Sequence, residues 1–270
     1  MEKMKLKILN YNLLNGFCND HSPYVTDHTR MRVAARVIAR EKPDIIVLTE
    51  AYLWPFVLKA HSKDIHPIFK KMYSFISEPK GQFRWAPVVL SRFPIEYEDH
   101  CVYQKQWIRA HIKVPRCKLV LDVVHPHPDL SEDARAEFIS TMLMNVPKNY
   151  VLSGDFNALS PEDSYDRDRL IKGYQTFTGA MAERKVDDLL KQLTVKKILV
   201  AGLQDTFIKA NVPHVATVPT DLRSKDKRSA VRIDYIFCSN GFKIVDAGII
   251  KNKNAERGSD HYPIYAVLEL

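Results

Sequence analysis

The sequence predicts an α/β domain, on three observations. A strand, an amphipathic helix and a second strand follow one another at the start of the chain. Short apolar, β-branched runs recur from there to the C-terminus, interleaved with segments of helical spacing. Polar groups stand just after, or just inside, several of these runs, so that the strands of one sheet can aim them at one point. Those groups span Asn12 to His261. One site drawn from both ends of the chain implies one domain, residues 1–270.

Each element has a local reason. Lys5 to Tyr11 reads as a strand, with Leu6, Ile8 and Asn10 alternating against Lys5, Lys7 and Leu9. Met31, Ala34, Ala35 and Ile38 recur at helical spacing within Thr29 to Arg40. Pro43 and Asp44 introduce Ile45-Ile46-Val47-Leu48, an uninterrupted apolar strand ending at Glu50, and such a run suits a central strand buried on both faces. Val88-Val89-Leu90 and Lys118 to Val124 read as further strands. Ser131 is expected to cap a helix reaching Met144, with Glu132 and Asp133 in its first turn. Tyr150-Val151-Leu152 is a short strand delivering Gly154-Asp155-Phe156-Asn157. Pro161 to Leu170 and Val186 to Leu199 read as helices. Val231 to Phe237, Phe242 to Ile250 and Ile264 to Leu268 read as strands.

Composition narrows the class of partner. The 270 residues carry a formal charge of +8, which favours polyanions such as nucleic acid, phospholipid or phosphorylated metabolites. A mildly basic balance is also common among proteins with no such partner. Cys18, Cys101, Cys117 and Cys238 form no Cys-x-x-Cys pair, which argues against zinc. Reduced thiols in a cytoplasmic monomer are the simplest expectation. The N-terminus has no continuous apolar segment of the secretory kind, and no stretch approaches the length of a membrane span.

Several short acidic or amide-bearing elements carry the chemistry. Carboxylates and an Asn amide are oxygen ligands, the preference of Mg²⁺ or Mn²⁺. Glu50 ends an apolar strand, where a carboxylate is costly to bury unless it binds a cation or a partner; alone it would read as an exposed strand end. Asp155 and Asn157 are two apart and share a face if extended, or else form an Asx-type turn. Gly154 lets the backbone turn tightly there. Asp234 sits inside an apolar strand and calls for a partner, His261 or alternatively Arg232. Asp260 and His261 together can supply a ligand and an acid–base group, and by themselves would read as a surface loop.

Taken together, these residues resemble the endonuclease/exonuclease/phosphatase superfamily of exonuclease III-like and DNase I-like phosphoesterases. The resemblance rests on Gly154-Asp155-Phe156-Asn157, Arg232-Ile233-Asp234-Tyr235-Ile236-Phe237 and Ser259-Asp260-His261-Tyr262-Pro263. Asn10-Tyr11-Asn12-Leu13, the Pro43 to Glu50 run and Leu90-Ser91-Arg92-Phe93-Pro94-Ile95 add to it. It implies a four-layer α/β sandwich of two packed, mostly antiparallel sheets with helices outside. It implies Mg²⁺ or Mn²⁺ held by Glu50 with Asn12, and Asp260 beside the metal. Asp155 would orient or deprotonate the attacking water, Asn157 would position it or the phosphate, and Asp234 would fix His261 against the phosphate. His125, in Val123-Val124-His125-Pro126-His127, fits a strand-end position that contacts phosphate; His127 is the second candidate, and either imidazole could instead belong to the loop.

Two departures are visible. Thr49 stands where Gln often precedes the metal-binding Glu. Asn12 is followed by Leu13-Leu14-Asn15-Gly16, unlike the motif of abasic-site nucleases. The resemblance therefore implies a metal-dependent nuclease or nucleic-acid phosphodiesterase acting on DNA or RNA. The alternative is a phosphatase or phosphodiesterase for a small phosphorylated molecule or a lipid headgroup such as a phosphoinositide. Lys227 and Arg228 are candidate phosphate contacts or else part of a solvated charged loop, Arg84 and Trp85 a candidate stacking surface for a base unless Trp85 belongs to the core, and the charged segment Asp166 to Lys197 a candidate wall of the site.

Overall fold

The computed structural model describes residues 3–19, 22–51, 73–77, 86–102, 105–115 and 117–270. Its strands are Lys5–Asn12 (β1), Cys18–Asn19 (β2), Ser22–Thr26 (β3), Ile45–Thr49 (β4), Phe75–Ile76 (β5), Val88–Ser91 (β6) and Ile95–Val102 (β7). Lys105–Val114 (β8), Cys117–Val124 (β9), Tyr150–Asp155 (β10), Gln204–Asp205 (β11), Asp234–Cys238 (β12), Lys243–Ile249 (β13) and Ile264–Glu269 (β14) complete them. One six-stranded sheet has the order β13-β14-β1-β4-β6-β5 and the other β11-β12-β10-β9-β8-β7. The main helices are His28–Glu41 (α1), Glu132–Leu143 (α2), Arg167–Thr178 (α3), Ala182–Leu189 (α4) and Leu193–Val200 (α5).

Period-two strands with apolar residues on both faces require cover on both faces, and the protein supplies it as four layers. Leu6 and Ile8 of β1 and Ile45 and Val47 of β4 meet Ile108, Leu121, Val151 and Ile236 of the other sheet. The alternate residues Leu9, Tyr11, Ile46 and Leu48 pack under Met31, Ala34 and Ile38 of α1. On the opposite outside, Tyr150, Leu152 and Phe237 pack under Phe138 and Met142 of α2 and Ile198 of α5. Among the described residues, no helix is long and apolar enough to cross a membrane.

Pairing is mostly antiparallel, but each sheet holds one parallel pair at its centre: β1 with β4, and β9 with β10. The register places Asn12 opposite Thr49, and Gly154 opposite Val124. Glu50 and His125 are each one residue further on. Four polar side chains thus leave the C-terminal ends of two parallel pairs, the position at which parallel sheets present ligand-binding groups.

The expected Ser131 cap forms, its hydroxyl accepting from Ala134 N at 3.3 Å. α1 begins one residue before the expected Thr29, where Asp27 accepts from Thr29 N and Arg30 N. Three expectations need correction. Pro161 to Asp166 is not helical: Asp166 accepts from Arg169 N at 2.9 Å, so the helix begins at Arg167. Val186 to Leu199 is two helices, because Gln192 takes a left-handed φ of 55° and its amide donates to Ser160 O. The strand expected from Val231 begins only at Asp234; Val231 instead bridges Val218, its amide donating to Val218 O at 3.0 Å. The β7–β8 hairpin was not anticipated. Its outer strand reads Ile-Glu-Tyr-Glu-Asp-His-Cys-Val, where alternation is present but charge dilutes the apolar signal.

Candidate active site

Asn12, fully buried at the end of β1, links the two sheets. Its Nδ2 donates to Asp155 Oδ2 at 3.0 Å and to Glu50 Oε1 at 3.2 Å, while its Oδ1 accepts from Leu14 N at 2.9 Å. Asn10, two residues earlier on the same face, donates to Gly154 O at 3.0 Å. Sequence reasoning assigned Asn10 no role; its period-two relation to Asn12 was the available signal.

Glu50 leaves β4 with a φ of 51°, a left-handed conformation uncommon outside glycine. Its Oε2 accepts from Asn15 N at 2.7 Å. Asn15 lies in a run of four positive φ values, Leu14 to Phe17, from 48° to 65°. Such strain persists only where the surroundings over-determine it. Here the buried Arg30 does so: Nη2 donates to Leu13 O and Leu14 O, Nη1 to Cys18 O and Nε to Gly258 O, all at 2.7–3.2 Å. Arg30 was a further residue that the sequence did not mark, because an Arg on an amphipathic helix ordinarily faces water.

The other sheet contributes Asp155, at the end of β10. The chain turns there rather than running on: Asp155 Oδ1 accepts from Asn157 N at 2.9 Å and Asn157 has a φ of 49°. The Asx-type turn is therefore the one realised, and the two side chains do not share an extended face. Asn157 Nδ2 instead donates to Pro126 O at 3.0 Å, tying this turn to the loop after β9. Gly154 lies inside β10 and is needed for close approach, because a Cβ there would stand 1.9 Å from Val124 O.

Asp234 faces Asp155 across the β10–β12 register. His261 Nδ1 lies 2.8 Å from Asp234 Oδ2, and its Nε2 lies 3.8 Å from Asp155 Oδ2. Arg232 is not the partner of Asp234; its guanidinium binds Asp163 and Asp205, each at 2.8 Å. His125 Nε2 stands 3.6 Å from Asp155 Oδ2 and 3.7 Å from Glu50 Oε1. Asp260, half-buried, is fixed through its backbone, whose carbonyl accepts from Thr220 N at 2.8 Å.

The remaining candidates are elsewhere. His127 is half-exposed and its Nδ1 accepts from Asp129 N in its own loop. Lys227 Nζ donates to Pro219 O and Ser224 O and pairs with Asp221. Arg228 is engaged by Asp226. Arg84 and Trp85 lie outside the described residues.

Electrostatics follow from this crowding. Burial pushes the Asp155 carboxyl up to about 7, and the facing Asp234 charge adds to that, against the opposing pull of His261. Burial also raises Asp260, with Glu50 contributing. Burial opposes charge on His261, but Asp234, through its charge and hydrogen bond, and Asp155 outweigh it and hold the imidazole well above its usual value. Carboxylates on this scale are stable together only with protons or cations among them.

The donor set fits a hard divalent cation. Asp155, Asp234 and His261 each offer a ligand atom within 4.8 Å of the others. Asp234 Oδ1 is buried with no hydrogen-bond partner among the described residues. That trio is not the Glu50, Asn12 and Asp260 set expected from the sequence. The two sets differ in access: Asp155 and Asp234 are sealed, whereas the Glu50 side chain retains 18% exposure.

Two mixed six-stranded sheets packed face to face, with helices on both outer faces, define an α/β sandwich of the DNase I-like type. A family model described as the Endonuclease/Exonuclease/phosphatase family matches residues 9–261, and the chain belongs to that family, whose members are phosphoesterase hydrolases. No curated protein matches the sequence. Similar solved structures include an AP endonuclease from Archaeoglobus fulgidus, 20% identical with a TM-score of 0.67, covering 98% of this chain and 100% of that one. An endonuclease/exonuclease/phosphatase from Beutenbergia cavernae is 19% identical with a TM-score of 0.66, covering 98% of this chain and 72% of its own. D. rerio TDP2, complexed with single strand DNA product, is 17% identical with a TM-score of 0.65, covering 98% and 99%. At these identities the likeness concerns the fold.

Proposed function

We propose that the protein is a divalent-metal-dependent phosphodiesterase acting on nucleic acid, working by in-line attack of water on phosphorus. The observation that carries this reading is the single hydrogen-bonded cluster Glu50–Asn12–Asp155 set against the His261–Asp234 pair. It draws on residues from 12 to 261, which also supports reading the chain as one domain.

Asp155 is the proton acceptor. A carboxylate titrating near 7 suits a base that works at neutral pH. The water oxygen bonds to phosphorus as Asp155 takes its proton, and the bond to the leaving oxygen breaks with its electron pair going to that oxygen, which takes a proton from solvent. Asn157, anchored on Pro126 O, orients the water or a phosphoryl oxygen. His261, kept protonated and aligned by Asp234, donates from Nε2 to a phosphoryl oxygen and stabilises the charge that develops there. His125, close to both Asp155 and Glu50, is a second imidazole in reach of the phosphate.

Mg²⁺ or Mn²⁺ would be held by Glu50, with Asn12 and Asp260 beside it, because Mg²⁺ keeps several waters and needs an open side. When bound, it would supply Lewis-acid stabilisation of the phosphoryl oxygens. Nucleic acid is favoured by the charge of +8, and by the AP endonuclease and the DNA product complex among the structural relatives.

The test is hydrolysis of single- and double-stranded DNA, RNA, an abasic duplex, a phosphoinositide and an aryl phosphate, with Mg²⁺ or Mn²⁺ and with EDTA. Metal-dependent cleavage of a nucleic acid, lost in Asp155→Ala, is expected. Turnover confined to the phosphoinositide or the aryl phosphate would replace the substrate assignment. Full activity after EDTA treatment would remove the metal from the mechanism.

A further inference from the structure

A cavity of about 500 Å³ lies beside the candidate active site and takes no part in the chemistry above. Phe177, near the C-terminal end of α3, and Leu222, from the loop ahead of β12, both line it. They are 52% and 41% exposed, among the largest apolar side chains left in water by the fold. Leu14 and Arg223 complete its rim. Arg30 and Asp27 also border it, but their hydrogen bonds go to the Leu13–Cys18 turn and to the start of α1.

Two connections join this cavity to the reacting centre. Leu14 N donates to Asn12 Oδ1, and the next residue donates to Glu50 Oε2. On the other side, Arg223 N donates to Thr220 O at 3.3 Å, and Thr220 N donates to Asp260 O at 2.8 Å. A group seated against Phe177 and Leu222 is therefore adjacent to the Glu50–Asp260 side of a phosphate bound at the centre.

The wall chemistry selects among phosphoesters. Phe177 and Leu222 offer a polyol headgroup no donor or acceptor, so its hydroxyls gain nothing from these two walls. A planar aromatic group would stack, and such base–aromatic contacts are worth roughly tenfold or more in binding. The cationic Arg223 at the rim complements the phosphate to which that group is attached. We infer that the cavity is a nucleobase subsite, in which Phe177 stacks on the base flanking the scissile phosphate and Leu222 packs beside it. The inference rests on the phosphodiesterase reading and adds to it the part of the substrate that confers selectivity.

The experiment compares two phosphodiesters that release the same p-nitrophenolate: the p-nitrophenyl ester of thymidine 5′-monophosphate, which carries a base, and methyl p-nitrophenyl phosphate, which does not. Wild type should prefer the nucleoside ester in kcat/KM. Phe177→Ala should reduce that preference about tenfold, mainly through KM, and Leu222→Ala several-fold, while Phe177→Trp should retain it. Both positions are exposed, so the variants should fold, and thermal melts check this. If wild type hydrolyses both esters but neither alanine variant alters the preference, the subsite is wrong and the hydrolase reading stands. If wild type with Mg²⁺ or Mn²⁺ hydrolyses neither, the hydrolase reading fails and the subsite fails with it.

Discussion

Asp155 and Asp234 stand opposite one another in adjacent antiparallel strands, both buried, and His261 Nδ1 closes on Asp234 Oδ2 at 2.8 Å. Like charges facing across a sheet destabilise it. The hydrogen bond and charge of His261 offset part of that cost.

The role of Asp234 can be separated from its bulk. Asp234→Asn preserves shape but removes the charge that orients and protonates His261. We expect kcat to fall by roughly 10²- to 10⁴-fold. The melting temperature should hold or rise, because one of two facing carboxylates is gone. Steady-state kinetics and a circular-dichroism melt suffice; activity within a few-fold of wild type would contradict the assignment.

Arg30 offers a prediction about stability. Arg30→Met leaves the carbonyls of Leu13, Leu14, Cys18 and Gly258 without their donor and releases the left-handed stretch that presents Asn15 N to Glu50. A cost of about 3 kcal/mol is expected from buried acceptors losing a charged donor. Urea unfolding of Arg30→Met and Arg30→Lys measures it, and Lys should recover only part, having a single nitrogen to share among the acceptors. Equal midpoints for wild type and Arg30→Met would refute the argument.

At Gly154 the constraint is space. A methyl group there would meet Val124 O at 1.9 Å and force apart the parallel β9–β10 pair, from whose ends His125 and Asp155 project. Gly154→Ala should cost roughly 3 kcal/mol or more, and lower activity through displacement of both residues. A denaturation midpoint unchanged from wild type would show that the two strands have more freedom than the register implies.

The thiols give a pH prediction. Burial, with Asp205 adding, raises Cys238 from 9.0 to about 12. The unfolded chain therefore loses this proton first as pH climbs. The contribution is fully present below pH 9 and declines from there towards 12, by up to about 1.4 kcal/mol per pH unit. Cys238→Ala should flatten that alkaline slope. In the native protein a thiol reagent should label exposed Cys101 rapidly and Cys238 only on unfolding; rapid native labelling of Cys238 would count against its burial.

Local signals were legible where they act over a few residues. The Ser131 cap, the α1 periodicity and the all-apolar Ile45–Leu48 run needed no knowledge of the rest of the chain. The same reasoning failed where a distant partner intervened. Val231 stays out of the expected strand because it pairs with distant Val218, and the helix expected through Gln192 breaks where that side chain reaches Ser160. For Asp155 and Asn157, spacing alone left both a shared extended face and a turn open.

By itself the sequence determined the layered α/β class, through strands whose two apolar faces must both be covered, and it marked the polar residues at the strand ends. Tertiary structure alone decided which of those residues meet. Asn12 reaches Asp155 across 143 residues and between two sheets, and His261 reaches Asp234 from a neighbouring loop. It also placed Arg30 under the Leu14 turn and Phe177 beside Leu222. Those contacts depend on the register of two parallel strand pairs and on the packing of the sheets against each other. Both are long-range properties that a period in the sequence does not encode.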